Sequence, residues 1–138
     1  MIDATQIWER LFLGSLYDAE RLGNANSLGL ATVLSLSATG PCNTRREITY
    51  IHLHVEDAQA IPVRQFDAIM HAIAENARRG KVLIHCGSGV SRAPIMLAAY
   101  MCVVGYKDLD AALLEIAVLR PIVCPSAILL ASVREHLR

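Results

Sequence analysis

A chain of 138 residues, 54% of them hydrophobic, can bury a core as one domain, residues 1–138, without disulfide staples, and is not the composition of a disordered segment. Its 13 basic and 13 acidic residues balance, so no nucleic acid partner is expected. The uncharged apolar run at residues 93–106 is too short for a bilayer, and the opening Met-Ile-Asp-Ala-Thr-Gln lacks a secretory layout, so no membrane partner is expected either.

Residues 11–13 and 32–35 are short runs of strand-forming side chains, followed by longer β-like runs at 49–55 and 81–85. In residues 49–55 the alternation puts His52 and His54 on one strand face. Two such imidazoles can begin a metal site, but no third ligand is evident, and a partly exposed face is the expectation, with no metal. The loop residues Thr44-Arg45-Arg46 are read as solvated rather than as a reader of acidic peptide.

Phe66, Ile69, Met70, Ile73 and Ala77 recur at helical spacing, with Pro62 suited to the first turn and Gly80 placed to end the helix. Three further helices are expected. The first covers about 94–104 and stops at Gly105, and its apolar content implies burial on most sides. The second covers about 108–119 before Pro121, with Leu109, Leu113 and Ile116 on one face. The third follows Ser126 as N-cap and carries Leu129, Val133 and Leu137. Strands first and helices afterwards indicate an α/β domain, a central sheet with helices on both faces.

The chemistry lies in Val82-Leu83-Ile84-His85-Cys86-Gly87-Ser88-Gly89-Val90-Ser91-Arg92-Ala93-Pro94. An apolar strand, a glycine-containing loop and a helix start direct backbone N–H groups at one point, which makes an anion site. Gly87, Ser88, Gly89, Val90 and Ser91 would line it, the glycines letting the backbone approach the anion closely. Helix N-termini favour the thiolate form of a nearby thiol, the nucleophilic form, and Cys86 stands at the mouth. Arg92 supplies a planar fork that matches two phosphate oxygens. The other cysteines, Cys42, Cys102 and Cys124, are irregularly spaced with no Cys-x-x-Cys pair, so no zinc site is expected, and a reduced, cytoplasmic setting is. Cys124 is expected to pack, with a resolving role toward Cys86 as the alternative.

His85-Cys86, five residues, then Arg92 resembles the signature loop of cysteine-based protein phosphatases, and Gly89-Val90-Ser91-Arg92 resembles their dual-specificity branch. Leu11-Phe12-Leu13-Gly14-Ser15 with Ala19 is similar to that family's first strand and following helix, Gly29-Leu30-Ala31-Thr32-Val33-Leu34 to its next strand, and Ala99-Tyr100-Met101 and Arg120-Pro121 to further positions. The resemblance implies the dual-specificity/protein tyrosine phosphatase fold and a phosphoprotein substrate cleaved through a cysteinyl-phosphate, with no metal or organic cofactor required. It also implies a general acid before the Phe66 helix, which is Asp57 or, as a near alternative, Glu56, and a supporting role for His85 toward the loop. The compact chain implies a shallow cleft that admits phosphoserine and phosphothreonine as well as phosphotyrosine. Three positions depart from the family: Ala93 replaces a Ser or Thr that helps the thiolate leave, as in the phosphatases of regenerating liver, Ser88 replaces a frequent Ala, and Ser126 a frequent Asn. Two rival readings remain: a phosphatase for a phosphoinositide or an RNA 5′-phosphate, which the uncharged insert Gly-Ser-Gly-Val-Ser disfavours, and a phospho-binding pseudophosphatase, which retention of Cys86 and Arg92 disfavours.

Overall fold

The computed structural model describes residues 2–138; Met1 lies outside the described residues. Five strands form one sheet: β1 (Thr5–Trp8), β2 (Leu11–Ser15), β3 (Leu30–Ser35), β4 (Thr49–His52) and β5 (Lys81–Cys86), in the order β1-β2-β5-β3-β4. β1 runs antiparallel to β2, and the other neighbours are parallel. Five helices complete the chain: α1 (Leu16–Leu22), α2 (Val63–Ala77), α3 (Arg92–Val103), α4 (Leu109–Leu119) and α5 (Ala127–His136). No helix among the described residues is long and apolar enough to cross a membrane.

Strand alternation divides the apolar residues between two cores. Phe12, Val33 and Leu83 face a small core closed by Ala19 and Leu22 of α1 and by Ile48. Leu11, Leu13, Leu34, Val82 and Ile84 face a larger core filled from α2, α3, α4 and α5. Because both faces are covered, the central strands read as continuous apolar runs rather than alternating ones. Helix α3 is buried from Ala93 to Ala99, as its apolar sequence implies, and packs between the sheet and α5.

Two expectations about these elements need correction. The strand expected over 49–55 ends at His52: the Leu53 and Val55 N–H groups still reach the Ser35 and Leu36 carbonyls, but outside a ladder. His54 therefore leaves the strand, and the two imidazoles lie with ring centroids 6.5 Å apart. Among the described residues no group of three or more His, Cys, Asp or Glu side chains could hold a metal ion. Strand β1 was not legible in the sequence, and α1 only as part of the resemblance. α1 is a seven-residue helix made possible by a capping box in which Ser15 Oγ accepts from the Asp18 N–H and the Asp18 carboxylate accepts from the Ser15 N–H. Second, Pro62 is the N-cap of α2 and sits in extended backbone rather than inside the first turn.

The C-terminus of α2 is tied to the sheet by buried Asn76. Its Oδ1 accepts from the buried Thr32 hydroxyl at 3.2 Å, while its own backbone carbonyl accepts from the Arg79 and Gly80 N–H groups. Asn76→Ala leaves the Thr32 hydroxyl without an acceptor and should lower the unfolding free energy by about 1–3 kcal/mol in urea titrations. Adding Thr32→Val should recover part of that loss, because the orphaned hydroxyl is gone.

Candidate active site

Register places the site. β5 is flanked on both sides by parallel strands, with Ser15 opposite Cys86 and Ser35 opposite His85, so β2, β3 and β5 end at one level. The crevice beyond the carboxyl ends of parallel strands is where such sheets bind ligands. Residues 87–91 bridge from β5 to α3 across it.

The carbonyls of this loop are held by groups outside it. Gly87 O accepts from the Leu16 N–H at 3.1 Å, at the first residue of α1. Gly89 O accepts from Arg120 Nε at 3.1 Å, and Val90 O from the Cys124 N–H at 2.7 Å. In a planar trans peptide the next residue's N–H points opposite to the carbonyl. The Ser88, Val90 and Ser91 N–H groups are thereby turned away from the anchors, an arrangement that can serve as a nest for an anion. Gly89 is required here twice over: its φ is +75°, and a Cβ would lie 2.6 Å from Gly14 O.

Cys86 is 2% exposed at the foot of this nest, and its Sγ accepts from the Ala93 N–H at 3.5 Å. That donor belongs to the N-terminal turn of α3, so the helix dipole acts on the sulfur. Arg92, the first residue of α3, reaches across to donate from Nη1 to Val55 O at 3.1 Å. Its Nε lies 4.0 Å from Asp57 Oδ1, with the Asp57 side chain 65% exposed. Glu56 turns instead toward His54 Nδ1 at 3.8 Å. Of the two candidate acids, the structure brings Asp57 to the arginine. Gly87 and Ser88 are exposed, so the mouth of the loop is open.

His85 is wholly buried. Its Nδ1 lies 3.2 Å from Cys86 O and its Nε2 2.6 Å from Ser35 Oγ. A carbonyl only accepts, so Nδ1 carries the proton, and Nε2 accepts from the Ser35 hydroxyl. Ser91 Oγ accepts from the Ser126 N–H at 3.0 Å, while the Ser126 hydroxyl caps α5. The support expected from an Asn at position 126 is thus supplied by backbone. Arg120 is 4% exposed and spans the loop and the chain start, donating also to Asp3 O and Thr5 Oγ1. Arg45 is engaged with Glu47 and the Gly23 and Asn24 carbonyls, which fits the solvated-loop reading of residues 44–46. Cys124 contributes its backbone to the loop and its side chain is exposed, not packed. Ser35, Leu16 and Val55 were not singled out as site residues by sequence, and Cys124 was weighed only for its thiol; Leu16, Val55 and Cys124 act through backbone atoms that carry no signature.

Burial holds the His85 pKa below the ordinary value of 6.5, with the bond to Cys86 O opposing. The unfolded chain therefore binds a proton near pH 6.5 that the folded chain refuses. The stability that neutral His85 contributes is present above that pH and is lost as pH falls from about 6.5 toward the folded value. Unfolding free energies measured from pH 7.5 to 5 should decline, and His85→Asn should flatten the decline while lowering stability at neutral pH.

A family model for the dual specificity phosphatase catalytic domain matches residues 11–138. Human dual specificity protein phosphatase 4 is 30% identical over 118 residues, which is 84% of this chain and 30% of that protein, so the chain spans about a third of that relative's length. A crystal structure of human DUSP28 superposes with a TM-score of 0.85 at 18% identity, covering 96% of this chain and 94% of that one. A structure of PTPMT1 in complex with PI(5)P superposes with a TM-score of 0.81 at 19% identity over 97% and 94% of the two chains. These structural likenesses show the fold. The family match shows more, since it runs through the anchored loop and the helices that support it: the chain belongs to the dual specificity phosphatase family, matched along its catalytic domain.

Proposed function

We propose that this domain is a cysteine-dependent phosphatase acting on phosphoprotein monoesters. Cys86 is the nucleophile, Arg92 the phosphate clamp and Asp57 the general acid. The observation that carries the reading is the convergence of all three on one loop, the sulfur under the α3 N-terminus and the Asp57 carboxylate beside Arg92.

In the first step the Cys86 sulfur attacks phosphorus and the P–O bond to the leaving group breaks. Asp57 gives its proton to the departing oxygen. The Ser88, Val90 and Ser91 N–H groups and Arg92 hold the nonbridging oxygens as charge spreads over them. In the second step Asp57 takes a proton from water, the oxygen bonds to phosphorus, the P–S bond breaks and the thiolate leaves with inorganic phosphate released. Ala93 offers only its N–H to that departing thiolate, which makes the second step the slower one. The Ser91 hydroxyl, which accepts from the Ser126 N–H, is engaged with the segment leading to α5.

The open mouth at Gly87 and Ser88 supports a shallow cleft, and the exposure of residues 56–60 supports an acid at its rim. Both features suit phosphoserine and phosphothreonine as well as phosphotyrosine. A nucleophile that has to stay reduced supports a cytoplasmic setting. The uncharged insert 87–91 favours a monoester on protein over a multiply charged lipid headgroup, and hydrolysis of a phosphopeptide panel beside phosphoinositides tests that choice. Faster release from the lipids would overturn it.

Cys86→Ser should lower turnover of p-nitrophenyl phosphate by roughly a thousandfold or more, and Arg92→Ala by about a hundredfold or more, with the circular dichroism spectrum retained. Substantial activity in folded Cys86→Ser would remove the cysteine mechanism. Asp57→Asn should lose at least about a hundredfold on phenyl phosphate and far less on dinitrophenyl phosphate, whose leaving group needs no proton. If Glu56→Gln shows that contrast and Asp57→Asn does not, the acid is Glu56.

A further inference from the structure

Asp57 sits within residues 56–60, all exposed, in a segment fixed at its two ends. At the near end buried Val55 donates to Leu36 O at 2.8 Å and accepts from Arg92. At the far end buried Ile61 meets helix α5. The Ile61 N–H donates to Ser132 Oγ at 2.9 Å, and Ile61 O accepts from Ser132 Oγ at 3.3 Å and from His136 Nε2 at 2.6 Å. Ser132 and His136 are one turn apart on the same face of α5, and the His136 ring lies 5.4 Å from the Phe66 ring of α2, which steadies its orientation. Between the two anchors Ala58 has a φ of +55°, the single positive-φ residue other than glycine among the described residues. A non-glycine residue keeps such a φ only where its surroundings impose it, and the two anchors are what hold this turn and Asp57 within it.

We propose that Ser132 and His136 are positioning residues for the general acid. They clamp the far end of its loop to α5, and α5 packs on α3, whose N-terminus holds the Cys86 sulfur. The acid and the nucleophile are thereby referred to one rigid body. This inference rests on the assignment of Asp57 as the acid. A hydroxyl that both accepts from and donates to one residue is a clamp that threonine keeps and alanine loses.

The test uses leaving-group dependence, which a purely structural defect would not produce. Ser132→Ala should lower kcat/KM for phenyl phosphate about tenfold and for dinitrophenyl phosphate less than about twofold, because only the first needs a well-placed proton donor. Ser132→Thr should restore the wild-type contrast. In the Asp57→Asn background Ser132→Ala should add less than about a further twofold, since no acid remains to be positioned. Equal losses on both substrates, no loss on either, or a tenfold loss that persists beside Asp57→Asn would overturn the clamp. Should Ser132→Ala not fold, His136→Leu removes one of the three bonds and should show the same contrast at about threefold on phenyl phosphate; equal effects on both substrates would overturn the proposal there too. If Asp57→Asn itself shows no leaving-group contrast, the acid assignment fails and the clamp with it. A steep contrast in Asp57→Asn with none in Ser132→Ala sinks the clamp alone.

Discussion

A trans peptide cannot turn its carbonyl one way without turning the next N–H the other way, and the candidate site depends on that constraint. The loop between β5 and α3 carries no charged side chain before Arg92. What it offers an anion is backbone dipoles, and the peptides that carry them are held from outside by Leu16, Arg120 and Cys124. Each anchor lies on a different part of the chain: the first turn of α1, the residue after α4, and the segment leading to α5. Three separate parts of the fold thus meet to orient one short loop. Preorganised dipoles of this kind need no rearrangement when charge develops on a substrate.

The sheet order accounts for how the parts meet. β5 lies between β2 and β3, and all three end beside the loop. From β2 come Ser15 and the start of α1, which receive Gly87. From β3 come Ser35, which holds the His85 ring, and Leu36, which holds Val55 and so the Arg92 contact. Helix α3 is buried nearly all round, so the N–H groups at its start are fixed by packing as well as by hydrogen bonds. Neutral His85 fits this scheme: an uncharged ring passes orientation from Ser35 to the Cys86 peptide and adds no competing cation.

Much of this was legible in the residues. The run from Val82 to Pro94 gave strand, loop and helix in order, and α2, α4 and α5 followed from apolar spacing with the Asp108 and Ser126 caps observed in the structure. What was missed has physical reasons. β1 has only four residues and borrows its stability from β2, and α1 is a seven-residue helix whose start overlaps the end of a strand. The β4 run continued too far because alternation persists in sequence after the chain has left the ladder at His52. The contacts of Val55, Leu16 and Cys124 are made by backbone, which every residue type shares. Nothing in the sequence marks Ser132, and only the path of residues 56–61 shows what its hydroxyl meets.

The central claim is that Cys86, held in the nest, becomes covalently bonded to phosphorus. Rapid quench of the enzyme with a phosphorus-labelled aryl phosphate, followed by peptide mapping, tests it most directly. The account predicts label approaching one per chain within the first turnover, on the peptide that contains Cys86, absent from Cys86→Ser and chased by water in the wild type. Label on another residue, or full turnover with no labelled protein at any time, would contradict it.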